Sequence, residues 1–226
     1  MKKTLCLLLC ALLALMPAAS LADKNKDNLP IGYLAGFEGG WNWFGEDFHY
    51  DITNEEACWE LLQKNNRGLI SERKFWKEVI AETNWKVTVE QMMALTDRAV
   101  ATPIPGTLDV LRDLHAMGYD LILVSDLGHE LKERILTHYP WINQLYKQKY
   151  FSCDYSKIKS DPGYFEFIMK NEGIEPGKAI FIDDYHINVA RAAEAGITGV
   201  LFKDAIQLKE TLTEMGIYKP IGMRVS

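Results

Sequence analysis

The sequence predicts a doubly wound α/β fold, Rossmann-like, with a parallel sheet and a small helical cap. Three observations predict it. After Pro103, Pro105 and Gly106 the chain alternates short apolar runs with helical stretches, the pattern of βαβ units. The runs at 120–125 and 179–182 are almost wholly apolar and rich in branched residues, as strands buried on both faces must be. Residues 54–102, by contrast, carry helical periodicity alone.

The N-terminus has its own texture. Met1-Lys2-Lys3 is a short positive start, Thr4 to Leu15 is an apolar run, and Ser20-Leu21-Ala22 offers small residues where a signal peptidase reads. This pattern predicts a secretory signal peptide over residues 1–22 and a periplasmic or secreted product. A membrane anchor is the competing reading, but a spanning helix needs about 20 apolar residues, and Pro17 cuts the run short. A buried first strand is the other. Cleavage after Ala22 removes Lys2 and Lys3 and no acid, taking the net charge from −6 to −8. No basic cluster remains, which argues against nucleic acid as a partner, and no membrane association is expected once the signal is gone. Cys58 and Cys153 survive cleavage; a disulfide and two separately buried thiols are both open.

Residues 23–53 read as a polar linker and the region of a first strand. Ile31 to Phe37 is the strand candidate, ending near Glu38, and Gly39-Gly40 forces a turn. The cap, 54–102, starts at a capping box formed by Thr53 and Glu56. Its helices carry apolar faces at Trp59, Leu61 and Leu62; at Phe75, Trp76, Val79 and Ile80; and at Val89, Met92, Met93 and Leu95. The α/β core, 103–226, follows. Helix 107–117 leads to strand 120–125, helix 129–137 to a short strand at 150–152, and helix 163–172 to strand 179–182. Helix 187–195 stops at Gly196, a C′ glycine, and a strand at 199–202 and a helix at 205–215 close the series.

Open α/β sheets bind ligands beyond the carboxyl ends of their strands. The residues just past each strand are therefore the informative ones: Ser125 and Asp126, Cys153 to Asp161, and Asp183 with Asp184. Adjacent carboxylates after a buried strand repel each other, and a hard cation such as Mg²⁺ relieves that repulsion. Asp184 as a plain helix cap is the simpler alternative. Ser125, with the amides after it, suits an anionic oxygen, although a turn serine needs no ligand. Lys159, taken alone, is a surface lysine.

In combination these residues resemble a known pattern. Strand-Ser125, Lys159-Ser160-Asp161-Pro162, and Phe181-Ile182-Asp183-Asp184 followed by Asn188 and Ala190-Arg191-Ala192-Ala193-Glu194-Ala195-Gly196 look like motifs two, three and four of the haloacid dehalogenase-like hydrolase superfamily. The order, the spacing and the intervening α/β pattern agree over about half the chain, and stretch 54–100 is similar to the helical cap of many members. The resemblance implies a Mg²⁺-dependent phosphatase-type hydrolase acting on a small phosphorylated molecule. In it Ser125 and Asp126 bind phosphate, Lys159 neutralises charge beside the nucleophile, and Asp183 with Asp184 holds Mg²⁺. Such a site works by positioning and electrostatic stabilisation.

Motif one departs from the pattern. Family members carry Asp-x-Asp after the first strand, the first Asp being the nucleophile and the second often the general acid and base. No Asp-x-Asp follows an apolar strand here. Phe37-Glu38-Gly39-Gly40-Trp41 is the best remnant, putting Glu38 at the nucleophile position; Asp51, two residues before Thr53, is second. The expectation is weak or absent phosphatase activity, with a catalytically inactive phosphate-binding protein as the alternative function. Rossmann-type dinucleotide binding and Ser-His-Asp hydrolysis lack their motifs, Gly-x-Gly-x-x-Gly and Gly-x-Ser-x-Gly.

Overall fold

The computed structural model describes residues 6–10, 55–83, 86–99 and 106–219. Its elements run β1 (Cys6–Cys10), α1 (Glu55–Asn66), α2 (Glu72–Thr83), α3 (Val89–Ala99), α4 (Thr107–Ala116) and β2 (Asp120–Ser125). They continue with α5 (His129–His138), α6 (Trp141–Leu145), β3 (Gln148–Phe151), α7 (Ser152–Tyr155) and α8 (Tyr164–Glu172). The last are β4 (Ala179–Asp183), α9 (His186–Glu194), β5 (Thr198–Leu201) and α10 (Ala205–Glu214).

The five strands form one sheet in the order β3-β2-β1-β4-β5. Every adjacent pair is parallel. The chain steps outward from β1 through β2 to β3, then returns to the other side of β1 with β4 and β5. That reversal makes β1 the topological switch, and the crevice beyond the ends of β1, β2 and β4 is where such a sheet binds ligands.

Side-chain alternation builds two cores, one on each face. Leu121, Leu123, Ile180 and Ile182 pack against Val110, Leu111 and Leu114 of α4 and against Leu208 and Leu212 of α10. Their neighbours in sequence, Ile122, Val124, Ala179 and Phe181, point the opposite way, onto Tyr164, Phe165 and Ile168 of α8 and Ala192 of α9. This is why β2 and β4 read as continuous apolar runs: both faces are covered.

The middle of the sheet differs from the sequence expectation. The strand between β2 and β4 is Cys6–Cys10, with Cys6 level with Asp120 and Ala179, and Cys10 with Val124. The sequence analysis set the first strand within 23–53 and read 1–22 as a leader. In the structure residues 6–10 form the strand between β2 and β4, which follows the competing reading in making them a first strand. Physically, an apolar run suits a slot flanked by strands on both sides as well as it suits a signal. The candidate strand at 31–37, Glu38 and Asp51 lie outside the described residues.

Helices α1, α2 and α3 enclose a core of their own: Cys58, Leu61, Leu62, Phe75, Trp76, Val79 and Met92. Inside it the Trp76 indole donates to Thr96 Oγ1 at 3.2 Å, and that hydroxyl donates on to the Met92 carbonyl at 2.8 Å. Polar contacts join this unit to the sheet domain. Arg134 on α5 makes a two-pronged contact with Glu72 on α2, at 2.7 and 2.8 Å. Arg67, just past α1, does the same to Asp161, with the second prong at 2.7 Å. Ser152 Oγ donates to the Asn66 carbonyl at 2.6 Å. Cys58 and Cys153 are free buried thiols, one in each unit. Among the described residues no helix is long and apolar enough to cross a membrane.

Candidate active site

Ser125 is the last residue of β2 and Asp183 the last of β4, so both reach the same end of the sheet on either side of β1. Both are buried. Lys159 arrives from the loop between α7 and α8 and is buried with them, only 5% exposed. Its Nζ donates to Asp183 Oδ2 at 3.0 Å. The surface lysine expected from Lys159 alone is thus an interior cation, stable there because it is paired.

Asp183 is held from several sides. The Tyr185 amide donates to its Oδ1 at 2.8 Å, and Asn188 Nδ2 donates to Oδ1 and Oδ2 at 3.3 and 3.2 Å. Asp183 therefore satisfies the start of α9, whose N-cap is Tyr185 with no side-chain cap bond. The simpler reading of Asp184, a helix cap, is not what the structure shows. Asp184 is exposed. Its carboxyl is nonetheless raised above the ordinary range, first by desolvation and then by the charge of Asp183, with which it shares a hydrogen bond. Two carboxylates close enough to share a proton are a hard-oxygen pair that a divalent cation would satisfy in the proton's place.

Asp126 supports the lysine through the backbone: the Lys159 amide donates to Oδ1 and Oδ2 at 3.1 and 3.2 Å. Its carboxyl is pushed up to about 6, chiefly by desolvation, against the opposing pull of Lys159. Deeper in the wall, Tyr164 is fully buried and its hydroxyl finds no hydrogen-bond partner among the described residues. Asp161 accepts from the Ile158 amide at 3.1 Å while it holds Arg67, so the loop bearing Lys159 is tied to the turn after α1. The Arg67 guanidinium keeps the Asp161 carboxyl below its usual value.

The structure thus gathers Ser125, Asp126, Lys159, Asp183 and Asp184 at one sheet edge. Glu38 lies outside the described residues. Tyr164 and the Arg67–Asp161 pair were not among the residues expected from the sequence. The carboxylate was visible in Lys-Ser-Asp-Pro, but nothing local marks Arg67, 94 positions away, as its partner.

The elevated Asp126 carboxyl makes a pH prediction. A folded-state value near 6 against an ordinary 3.8 means the native state binds the proton more tightly than the unfolded chain does. Stability from this group is full below the unfolded value and is lost as pH rises through about 6. An amide cannot ionise, so Asp126→Asn should gain stability relative to wild type between pH 4 and 7. Urea denaturation at both pH values, without Mg²⁺, checks this; an unchanged or reversed difference would count against a strained carboxylate.

Comparison with known proteins identifies the family and the fold. The family described as haloacid dehalogenase-like hydrolase matches residues 42–202. Flavin mononucleotide hydrolase 1 of Arabidopsis thaliana is 39% identical over 66 residues, covering 29% of this chain and 27% of that protein. Phosphoglycolate phosphatase 1 of Pseudomonas aeruginosa is 30% identical over 112 residues, covering 47% of this chain and 39% of the relative. The matched segments span well under half of these relatives. Among solved structures, a HAD family enzyme of Bacteroides thetaiotaomicron in a magnesium complex superposes with a TM-score of 0.62 at 20% identity, covering 89% of this chain and 94% of that one. The same enzyme with Asp replaced by Ala, bound to magnesium and inorganic phosphate, superposes at 0.53 with 23% identity, covering 62% and 71%. These structural likenesses bear on the fold.

Proposed function

Because the chain belongs to the haloacid dehalogenase-like hydrolase family, we propose that its pocket binds a small phosphorylated molecule together with Mg²⁺, as an exported phosphatase-type protein whose nucleophile motif is degenerate. The single observation that carries this is the buried Lys159–Asp183 pair at the same end of the sheet as Ser125, at the end of the strands flanking the topological switch. Mg²⁺ fits the donors present: Asp183 and Asp184 would hold it, and it would offset the negative charge of a phosphoryl group. The chain's own residues do the rest. Ser125 and the amides after it would face the anionic oxygens, Lys159 would neutralise charge while Asn188 and the Tyr185 amide hold its partner Asp183 in place, and Asp126 positions the lysine backbone.

One observation favours the second reading, a binding protein without turnover. The strand in the first slot is followed by Ala11-Leu12-Leu13-Ala14-Leu15, which contains no carboxylate. With this strand in place, no carboxylate stands directly after it at the position where the family's nucleophile and second acid would be. The flavin mononucleotide and phosphoglycolate named for its relatives suggest phosphomonoesters as the class to test.

The test is binding against turnover. Inorganic phosphate and vanadate should bind to the full chain in the presence of Mg²⁺, measured by calorimetry, while hydrolysis of a small phosphomonoester stays near background. Absence of phosphate binding would remove the whole proposal. Turnover at an ordinary enzymatic rate would remove the second reading.

A further inference from the structure

We propose that His129, Cys153 and Asp154 form a second cation site, suited to zinc or a similar borderline-soft divalent ion, on the seam between cap and core. One ring nitrogen, one sulfur and one carboxylate oxygen from these residues lie within 4.8 Å of one another. Tetrahedral zinc, with bonds of about 2.0–2.3 Å, sets its ligand atoms roughly 3.5 Å apart. The cluster is thus about one ångström too open. Cys153 is buried and anchors it, whereas His129 and Asp154 are exposed and can close the gap by side-chain rotation.

The ligand chemistry separates this site from the Mg²⁺ pocket. Imidazole and thiolate suit zinc, cobalt and copper; Mg²⁺ wants oxygen. Lys132 Nζ already donates to Asp154 Oδ1 at 2.6 Å, orienting the carboxylate and leaving its other oxygen for an ion. Three protein ligands leave a fourth position for water. Cysteine ligates as the thiolate, so binding would release the Cys153 proton to solvent.

Its position gives the site a role. His129 opens α5 beyond β2, and Cys153 and Asp154 lie in α7 beyond β3. The cap turn after α1 rests on this spot. Gly68, at φ 70°, comes so close that a Cβ there would sit 2.5 Å from His129 Nε2 and 3.0 Å from the Cys153 carbonyl oxygen. The neighbouring Asn66 carbonyl takes the Ser152 hydroxyl. An ion that pins His129 to α7 therefore fixes the surface on which the cap turn sits, and links metal occupancy to cap seating.

Cobalt titration of the full chain, free of other metals, tests this. One Co²⁺ per chain should bind with a near-ultraviolet thiolate-to-cobalt charge-transfer band, displaced by zinc and not by excess Mg²⁺. The band should vanish in Cys153→Ser and survive in Cys58→Ser. His129→Ala and Asp154→Asn change exposed residues, so their folds should survive, and each should weaken binding at least tenfold. No band, a band that persists in Cys153→Ser, displacement by Mg²⁺, or unchanged affinity in both exposed-residue variants would overturn the proposal.

Discussion

Asp183→Ala should lose both Mg²⁺ binding and a large part of the protein's stability. The carboxylate is buried, and it accepts from Lys159, the Tyr185 amide and Asn188. Removing it deprives the Lys159 ammonium, with a side chain only 6% exposed, of the carboxylate it donates to at 3.0 Å. Breaking such a pair by deleting one partner typically costs about 3–5 kcal/mol. For a domain of this size that corresponds to a fall on the order of 10 °C in Tm. Two controls separate the electrostatic account from a general packing defect. Asp183→Asn combined with Lys159→Met keeps an acceptor for the Tyr185 amide and removes both charges, and should recover most of the lost stability while Mg²⁺ binding stays absent. Mg²⁺ at about 100 times its Kd should stabilise wild type by about 2.7 kcal/mol and the double variant not at all. Thermal melts with and without Mg²⁺ read both effects. If the double variant is no more stable than Asp183→Ala, the buried pair is not the cause; if Mg²⁺ still stabilises it, Asp183 is not a ligand.

The second large effect is expected at the N-terminus, where the leader reading and the sheet compete for the same residues. Cys6–Cys10 pairs with β2 on one side and β4 on the other. Export with cleavage after Ala22 would remove that strand and leave its slot to another segment. The sequence offers one other apolar stretch near enough, Ile31 to Phe37, which ends at Glu38. Processing would then exchange a strand followed by Ala11 for one followed by a carboxylate. We expect the full chain to show only background hydrolysis, because covalent catalysis and leaving-group protonation, the latter worth about 10²–10⁴-fold, are both missing. A chain beginning at Asp23 should fold and hydrolyse phosphomonoesters measurably. Its rate should remain about 10²-fold or more below an aspartate enzyme, since glutamate misplaces the attacking oxygen by about 1 Å. Glu38→Gln should abolish that activity. Mass spectrometry of the exported protein decides whether processing occurs: retention of Met1 or Lys2 would reject cleavage. An active 23–226 chain indifferent to Glu38→Gln would move the nucleophile elsewhere, with Asp51 next to be mutated. An unfolded 23–226 chain would mean that no other segment replaces Cys6–Cys10.

Much of the site was legible because its signals are local. Ser125, Asp183 and Asp184 each follow a run whose continuous apolarity announces a strand buried on both faces, and strand ends are where a doubly wound sheet places ligands. Lys159 was legible only in company. Its sequence neighbourhood is polar, and the partner that goes with its burial, Asp183 at the end of β4, lies 24 positions away. Asp126 was expected to bind phosphate directly; its contact in the structure is with the Lys159 amide.

By itself the sequence determined the alternation of strands and helices in the core, the three helices before it, and that Ser125 and Asp183 close their strands at one end of the sheet. Those features depend on periodicity and turn residues within a few positions, which any segment displays regardless of its surroundings. Only the tertiary structure decided which apolar segment enters the centre of the sheet. Residues 6–10 and 31–37 have similar local claims, and the choice rests on pairing with β2 and β4, more than a hundred positions away. It also decided that Arg67 meets Asp161, that Arg134 meets Glu72, and that His129 stands beside Cys153 and Asp154. Such contacts join residues whose separation in sequence carries no periodic signal, so they exist only once the packed core has fixed the distance between their elements.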